Sequence, residues 1–244
     1  QSVAAVMALL FNIRKNTDIK LSLKGLKPEW YVIRRIYFVG VPSMLMMAIG
    51  SLMTYLMNLI LMGFSSVATA VFGVYFKLQS FFFMPVFGLN NGLIPILAYN
   101  YGAKKKDRII KALKSAIVMA VCIMSAGTLI FEVFPVPLLK MFNASDDMLQ
   151  IGTAALRIIC ISFPLAGACI AAGSVFQASS ESIYSLLVSV GRQIVVLIPV
   201  AYLFSLTGNV NNVWWAFPIA ESASCTLSAI FFIKIYRKRI APMP

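Results

Sequence analysis

KLQSFFFMPVFGLNNGLIPILAYNYGAKKK, residues Lys77 to Lys106, decides how the rest of the chain is read. It begins with a cation, Lys77, inside an apolar run, with Gln79 two residues on. Pro85 and Pro95, the glycines Gly88, Gly92 and Gly102, and the pair Asn90-Asn91 follow, before three lysines end it. Proline in a helix interior removes a hydrogen bond and crowds the preceding turn, so a soluble helix would not tolerate this composition. A membrane helix that bends, packs closely and shows polar groups to an interior cavity would.

Composition agrees with that reading. The chain is 60% hydrophobic and 12% charged, with mean hydropathy +0.87, whereas soluble domains carry about a quarter charged residues. The expected class is therefore an all-α integral membrane protein. A net charge of +13 raises the question of nucleic acid. No nucleic-acid partner is expected, because the basic residues cluster between long uncharged runs and do not line a helix face. The chain has no His and no Cys-x-x-Cys pair, which removes the usual metal sites and Cys-His or Ser-His-Asp nucleophiles. An enzyme of the acyl- or prenyltransferase kind would need a His or clustered Asp residues, so no enzymatic activity, cofactor or metal is expected. Cys122, Cys160, Cys169 and Cys225 each sit in apolar surroundings and read as small buried hydrophobes.

Apolar runs of about 20 residues cross a bilayer as helices. Residues 1–13, which read as a helix already under way, are expected to be the end of a preceding span, making the chain a piece of a longer protein. Residues 14–35 form a basic loop. A six-helix lobe at 36–233 follows, with helices at about 36–62, 67–100, 109–134, 148–177, 183–205 and 213–233, and then a basic tail at 234–244. The basic segments alternate with nearly uncharged loops, and basic loops stay on the cytoplasmic side. This predicts a multi-pass protein with a cytoplasmic C-terminus. Asp107 reads as an N-cap, and Asp146 and Asp147 suit the first turn of a helix.

A charge within hydrocarbon costs on the order of 3 kcal/mol on insertion scales, so it should face protein or water. Lys77 therefore either borders a cavity or snorkels and packs. At helical spacing Gly73, Lys77, Ser80, Gly88 and Asn91 share one stripe, while Gln79, Phe83 and Asn90 share another. In the first complete span Ser43, Gly50, Ser51, Thr54 and Asn58 fall within one face, bordered by Tyr55. That face is either interhelical glue or a cavity wall. Glu221, with Ser224, Cys225 and Ser228 on its arc, is a cation or proton relay candidate or a structural carboxylate. Glu132 reads as a solvated group near the opposite surface, and Arg157 has no evident partner. The candidate cavity residues are Met53, Thr54, Tyr55, Asn58, Lys77, Gln79, Phe83 and Asn90.

Gly40-Val41-Pro42, GLNNGLIPILAYNYGAKKKDR (88–108), FNASDDMLQIGTAALRI (142–158), VSVGRQ (188–193) and VWWAFPIAE (213–221) together carry a family resemblance. Over nearly its whole length the chain resembles the multidrug and toxic compound extrusion (MATE) transporters, most closely their bacterial drug-exporting branch. The resemblance implies a protein of the bacterial cell membrane with two six-helix lobes around a central cavity. Such a protein exchanges outgoing lipophilic, often cationic, drugs or dyes for incoming H⁺ or Na⁺. It implies that this chain is the end of the sixth helix plus the second lobe, and that its partners are the bilayer and the N-terminal lobe. In some branches, carboxylates on the first and fourth helices of the second lobe take part in cation binding. Residues 36–62 and 148–177 hold no Asp or Glu, so coupling is expected to reside mostly in the other lobe. Two alternatives stay open: a lipid-linked saccharide flippase of the same superfamily, which calls for a more basic cavity, and a non-transporting membrane subunit.

Overall fold

A computed structural model describes residues 2–15 and 29–243. Every regular element among them is helical. Two compact units are present, Gln1–Phe38 and Val39–Pro244. The first carries α1 (Ser2–Lys15) and the start of α2 (Trp30–Met62). Most of the basic loop expected at 14–35 lies outside the described residues.

The second unit holds the remainder of α2 and then α3 (Ser66–Gly102), α4 (Lys106–Val133) and the short α5 (Pro135–Lys140). α6 (Asp146–Cys160), α7 (Phe163–Ala178) and α8 (Ser182–Val190) follow. α8 runs through a π-helical segment, Gly191–Leu197, into α9 (Ile198–Ser205). The short α10 (Val210–Val213) leads to α11 (Ala216–Ile235), which ends in a second π-helical segment, Tyr236–Ile240.

Five helical stretches among the described residues are long and apolar enough to cross a membrane, and a sixth forms if α6 and α7 count as one bent span. The single helix expected over 148–177 is in fact these two helices, meeting at 46°. Pro164 in the first turn of α7 explains the break. It has no N–H for a continuing helix, and its ring excludes the preceding turn.

α3 behaves differently. Its helix is unbroken from Ser66 to Gly102 although Pro85 and Pro95 lie inside it. At 1.5 Å per residue it is about 55 Å long, well beyond the roughly 30 Å hydrocarbon layer. Ser65 caps its first turn by accepting a hydrogen bond from the Ala68 amide at 3.1 Å, and Ser145 does the same for Met148 at the start of α6.

α3, α4 and α7 pack together as the centre of the unit, with α11 lying along α7 and the π segment. Small residues make this possible. A Cβ on Gly167 would sit 3.0 Å from the Ala120 carbonyl oxygen, so α7 and α4 meet backbone to backbone there. Without a hydrophobic drive between helices in lipid, such close approach supplies the van der Waals contact that holds them. Aromatic rings pack elsewhere in the core: Phe131 meets Phe82 and Phe163 edge-on, and Phe72 stacks near Trp214.

Candidate functional site

Residues of α3 spaced by three and four, Tyr75, Phe76, Gln79, Ser80 and Phe83, occupy one side of that helix and form one wall of a cavity of about 460 Å³. α2 contributes Met47, Gly50, Ser51, Met53 and Thr54. The π segment contributes Arg192, Gln193 and Leu197, and α11 contributes Phe217, Ala220 and Glu221. Ser162 at the α6–α7 elbow completes it. The wall is thus mainly aromatic and methionine surface with a few convergent polar groups, the composition of a small-molecule site.

The π segment has a cause in the sequence. Pro199, in the first turn of α9, cannot donate to the carbonyl of Val195, and its ring crowds that turn. The wider π winding just before it relieves the clash. It also places Arg192 and Gln193 on the cavity wall. Gln193 is held there: its Nε2 donates to Ser189 Oγ at 2.8 Å, and its Oε1 faces Gly50, 3.7 Å from where a Cβ on that residue would lie.

Arg192 Nη1 donates to Glu221 Oε2 at 3.0 Å. The Glu221 side chain is 9% exposed and that of Arg192 35% exposed, so the carboxylate is nearly enclosed while part of the guanidinium faces the cavity. Removing either partner would leave the other without its counter-charge in a largely enclosed position. Among the described residues these are the two charged ones on the cavity wall.

A second cavity, of about 170 Å³, lies among α2, α3, α7, α8, the π segment and α11. Asn90, Cys169, Ser185, Ser189, Ser224 and Ser228 line it, and it shares Phe87, Arg192 and Glu221 with the first. Asn90 Oδ1 and Ser185 Oγ are buried there without a hydrogen-bond partner in the protein.

The residues singled out in the sequence fall in several places. Met53, Thr54, Gln79, Phe83 and Glu221 come together on the larger cavity, and Asn90 lies on the smaller one. Tyr55 points outward at 61% exposure, and Asn58 is half-buried away from both cavities. Lys77 is exposed, with its Nζ 5.8 Å from the centre of the Phe142 ring, a cation–π placement. Thr54 Oγ1 donates to the Gly50 carbonyl, so its hydroxyl is partly occupied by its own helix.

Three readings change. Arg157 does have a partner: its Nε lies 3.5 Å from Glu132 Oε2, at an exposed position. Cys122 is exposed and Cys169 and Cys225 are half-buried, so of the four cysteines only Cys160 is a buried hydrophobe. Arg192, inside the helix expected at about 183–205 but not among the candidate cavity residues, sits on the cavity wall. A signal for it existed: between Ser182 and Ile233 the only charged residues are Arg192 and Glu221, of opposite sign and in adjacent apolar runs.

The model of the MatE family matches residues 42–203. Among curated proteins, the chain is 26% identical over 245 aligned positions to the multidrug export protein MepA of Staphylococcus aureus strain MSSA476, covering 98% of this chain and 52% of that protein. The corresponding protein of Staphylococcus haemolyticus is 24% identical at the same coverage. The chain thus spans about half the length of the curated relatives it matches. Among solved structures, an outward-facing multidrug resistance MATE family transporter of the MOP superfamily superposes with TM-score 0.85 at 20% identity, over 98% of this chain and 54% of the other. A MOP superfamily transporter from Pyrococcus furiosus gives TM-score 0.86 at 19% identity. These likenesses establish the fold, and the family match covers well over half of the residues. The chain belongs to the MatE family.

Proposed function

We propose that this chain forms one lobe, the C-terminal one, of a two-lobe secondary exporter in a bacterial cell membrane. It exchanges lipophilic, often cationic, compounds for H⁺ or Na⁺. The observation that carries this reading is the larger cavity. Phe76, Phe83, Phe217, Met47 and Met53 offer polarizable surface for a flat apolar ligand, and Gln79, Ser51 and Gln193 offer hydrogen bonds to orient it. The names of the curated relatives point the same way.

The outward stripe of α3 supports a second lobe. Gly73, Lys77, Gly88 and Asn91 are all exposed on this chain. Polar groups at membrane depth are costly against lipid tails, so a protein surface or a water-filled cleft is the stable neighbour for that stripe. Placed there, the second lobe converts an open-sided cavity into a central one. The basic run at Lys104–Lys106 and the tail at Arg237–Arg239 lie on the cytoplasmic side in this arrangement.

A saccharide-lipid flippase calls for a more basic cavity. Arg192, the one cation on the wall among the described residues, is already neutralised by Glu221, so the exporter reading is the better supported. The test is accumulation of several cationic dyes in cells with and without the intact gene. Lower accumulation with the gene supports export; equal accumulation for every dye rejects it.

A further inference from the structure

We infer that the smaller cavity is an aqueous route for protons to Glu221, and that the Arg192–Glu221 pair converts proton uptake there into release of a cationic ligand from the larger cavity. The inference rests on the exporter reading and specifies its coupling site, placing it in this lobe where the resemblance led to the other one being expected.

The two cavities meet at Arg192, Glu221 and Phe87. The ion pair is therefore part of the partition between them, and a change at Glu221 is felt on both sides. The smaller cavity has the chemistry of a wet space. Its wall is rich in hydroxyls, and Ser185 Oγ, on a residue more than nine-tenths buried, has no partner. Asn90 Oδ1, on a half-buried residue, is likewise enclosed and without a partner. Buried polar atoms are almost always satisfied by protein or by water, and a space of about 170 Å³ with several serines and Asn90 on its partly apolar wall has room for several waters. Waters joining Ser185, Asn90 and the serines of α11 lead to the enclosed carboxylate.

A proton suits this site better than a sodium ion. Sodium would need several oxygens of Glu221 and its neighbours, yet a tethered guanidinium already holds the carboxylate at 3.0 Å. A proton needs one oxygen. When it adds to Glu221 the carboxylate becomes a neutral carboxyl, and the hydrogen bond from Arg192 loses its charge assistance. Arg192 keeps its own proton and charge. The larger cavity then passes from charge-balanced to net positive, which repels a cationic ligand lying within a few ångströms in a medium of low dielectric constant. Loss of the proton restores the pair and the site.

Few other groups compete for the proton. Tyr75 of α3 and Cys169 of α7 face Glu221 across the two cavities, Arg192 faces it from the π segment, and Cys225 is on its own helix. Among the described residues, α2, α6, α8 and α9 place no titratable side chain on either wall, and Glu221 is the single carboxylate on the walls of either cavity.

The test uses the intact transporter in proteoliposomes with ethidium as the ligand. In wild type, ethidium affinity should fall about tenfold, or about 1.4 kcal/mol, between neutral and mildly acidic pH, and an inward pH gradient should drive export. Glu221→Gln should flatten the pH dependence of binding and abolish gradient-driven export. If that variant fails to fold, Arg192→Gln with Glu221→Gln, which removes both charges together, replaces it. In a background of Cys122→Ser, Cys160→Ser and Cys225→Ser, the remaining Cys169 should react with 2-aminoethyl methanethiosulfonate, as Gln79→Cys does in the larger cavity. Unchanged pH dependence in Glu221→Gln, or a Cys169 that stays unreactive while Gln79→Cys is labelled, overturns the inference and leaves the exporter reading intact. Wild-type protein that neither binds nor moves ethidium overturns the exporter reading itself.

Discussion

Arg192 and Glu221, 29 positions apart in sequence, meet at 3.0 Å between the π segment and α11. Breaking a buried pair by deleting one partner costs about 3–5 kcal/mol. Arg192 is 35% exposed, so solvent screening lowers the figure here to about 2 kcal/mol. Arg192→Met should destabilise by that amount in a detergent unfolding series. Adding Glu221→Gln should recover most of the loss, because no unpaired charge then remains. A double variant no more stable than the single one would show that the pair is not what holds these segments together.

Gly167 makes a different demand. Its Cβ position lies 2.9 Å from Met124 Cγ and 3.0 Å from the Ala120 carbonyl oxygen. Met124 can swing aside, but the backbone of α4 cannot. Gly167→Ala should cost about 1–3 kcal/mol by overpacking, and a lowered thermal midpoint measures it. Gly173→Ala, on the same helix with open space around it, should leave the midpoint unchanged or raise it slightly.

Ser65 closes the N-terminus of the longest helix through one hydrogen bond to Ala68. Ser65→Ala should cost about 1 kcal/mol, the usual worth of an N-cap, and Ser65→Asp should retain most of the stability. Equal midpoints for wild type and Ser65→Ala would mean that tertiary packing alone fixes the start of α3.

Phe83 and Tyr55 are both aromatic residues, and they separate the two sides of the lobe. Phe83 lines the larger cavity, whereas Tyr55 is 61% exposed away from it. Phe83→Leu keeps apolar bulk but removes the ring face, worth about 0.5–1.5 kcal/mol. Dye affinity should therefore fall severalfold. Tyr55→Leu should leave the affinity as it was, and a larger effect at Tyr55 than at Phe83 would move the ligand out of this cavity.

Much of the fold was legible because membrane helices announce themselves by uncharged length. The runs after Arg35, Lys114 and Ser182 needed no other signal. What periodicity could not supply was azimuth. Tyr55 and Thr54 are neighbours in sequence and point to opposite sides of α2, and only the packing of α3 and α11 decides which side is the cavity. Proline effects were equally hidden. Pro164 breaks a span and Pro199 follows a π segment, while Pro85 and Pro95 leave α3 continuous, because the neighbouring helices determine which local cost is relieved by a bend. The pairing of Arg192 with Glu221 joins two runs whose register no sequence pattern fixes.

Ligand protection of cavity cysteines tests the central claim most directly. In the intact transporter, Gln79→Cys and Tyr55→Cys are each exposed to a thiol reagent with and without saturating ethidium. Protection of Gln79→Cys, with no protection of Tyr55→Cys, is the result predicted for a ligand held between α2, α3, the π segment and α11. Equal reactivity of Gln79→Cys with and without the dye, under conditions in which the dye is bound, would contradict it.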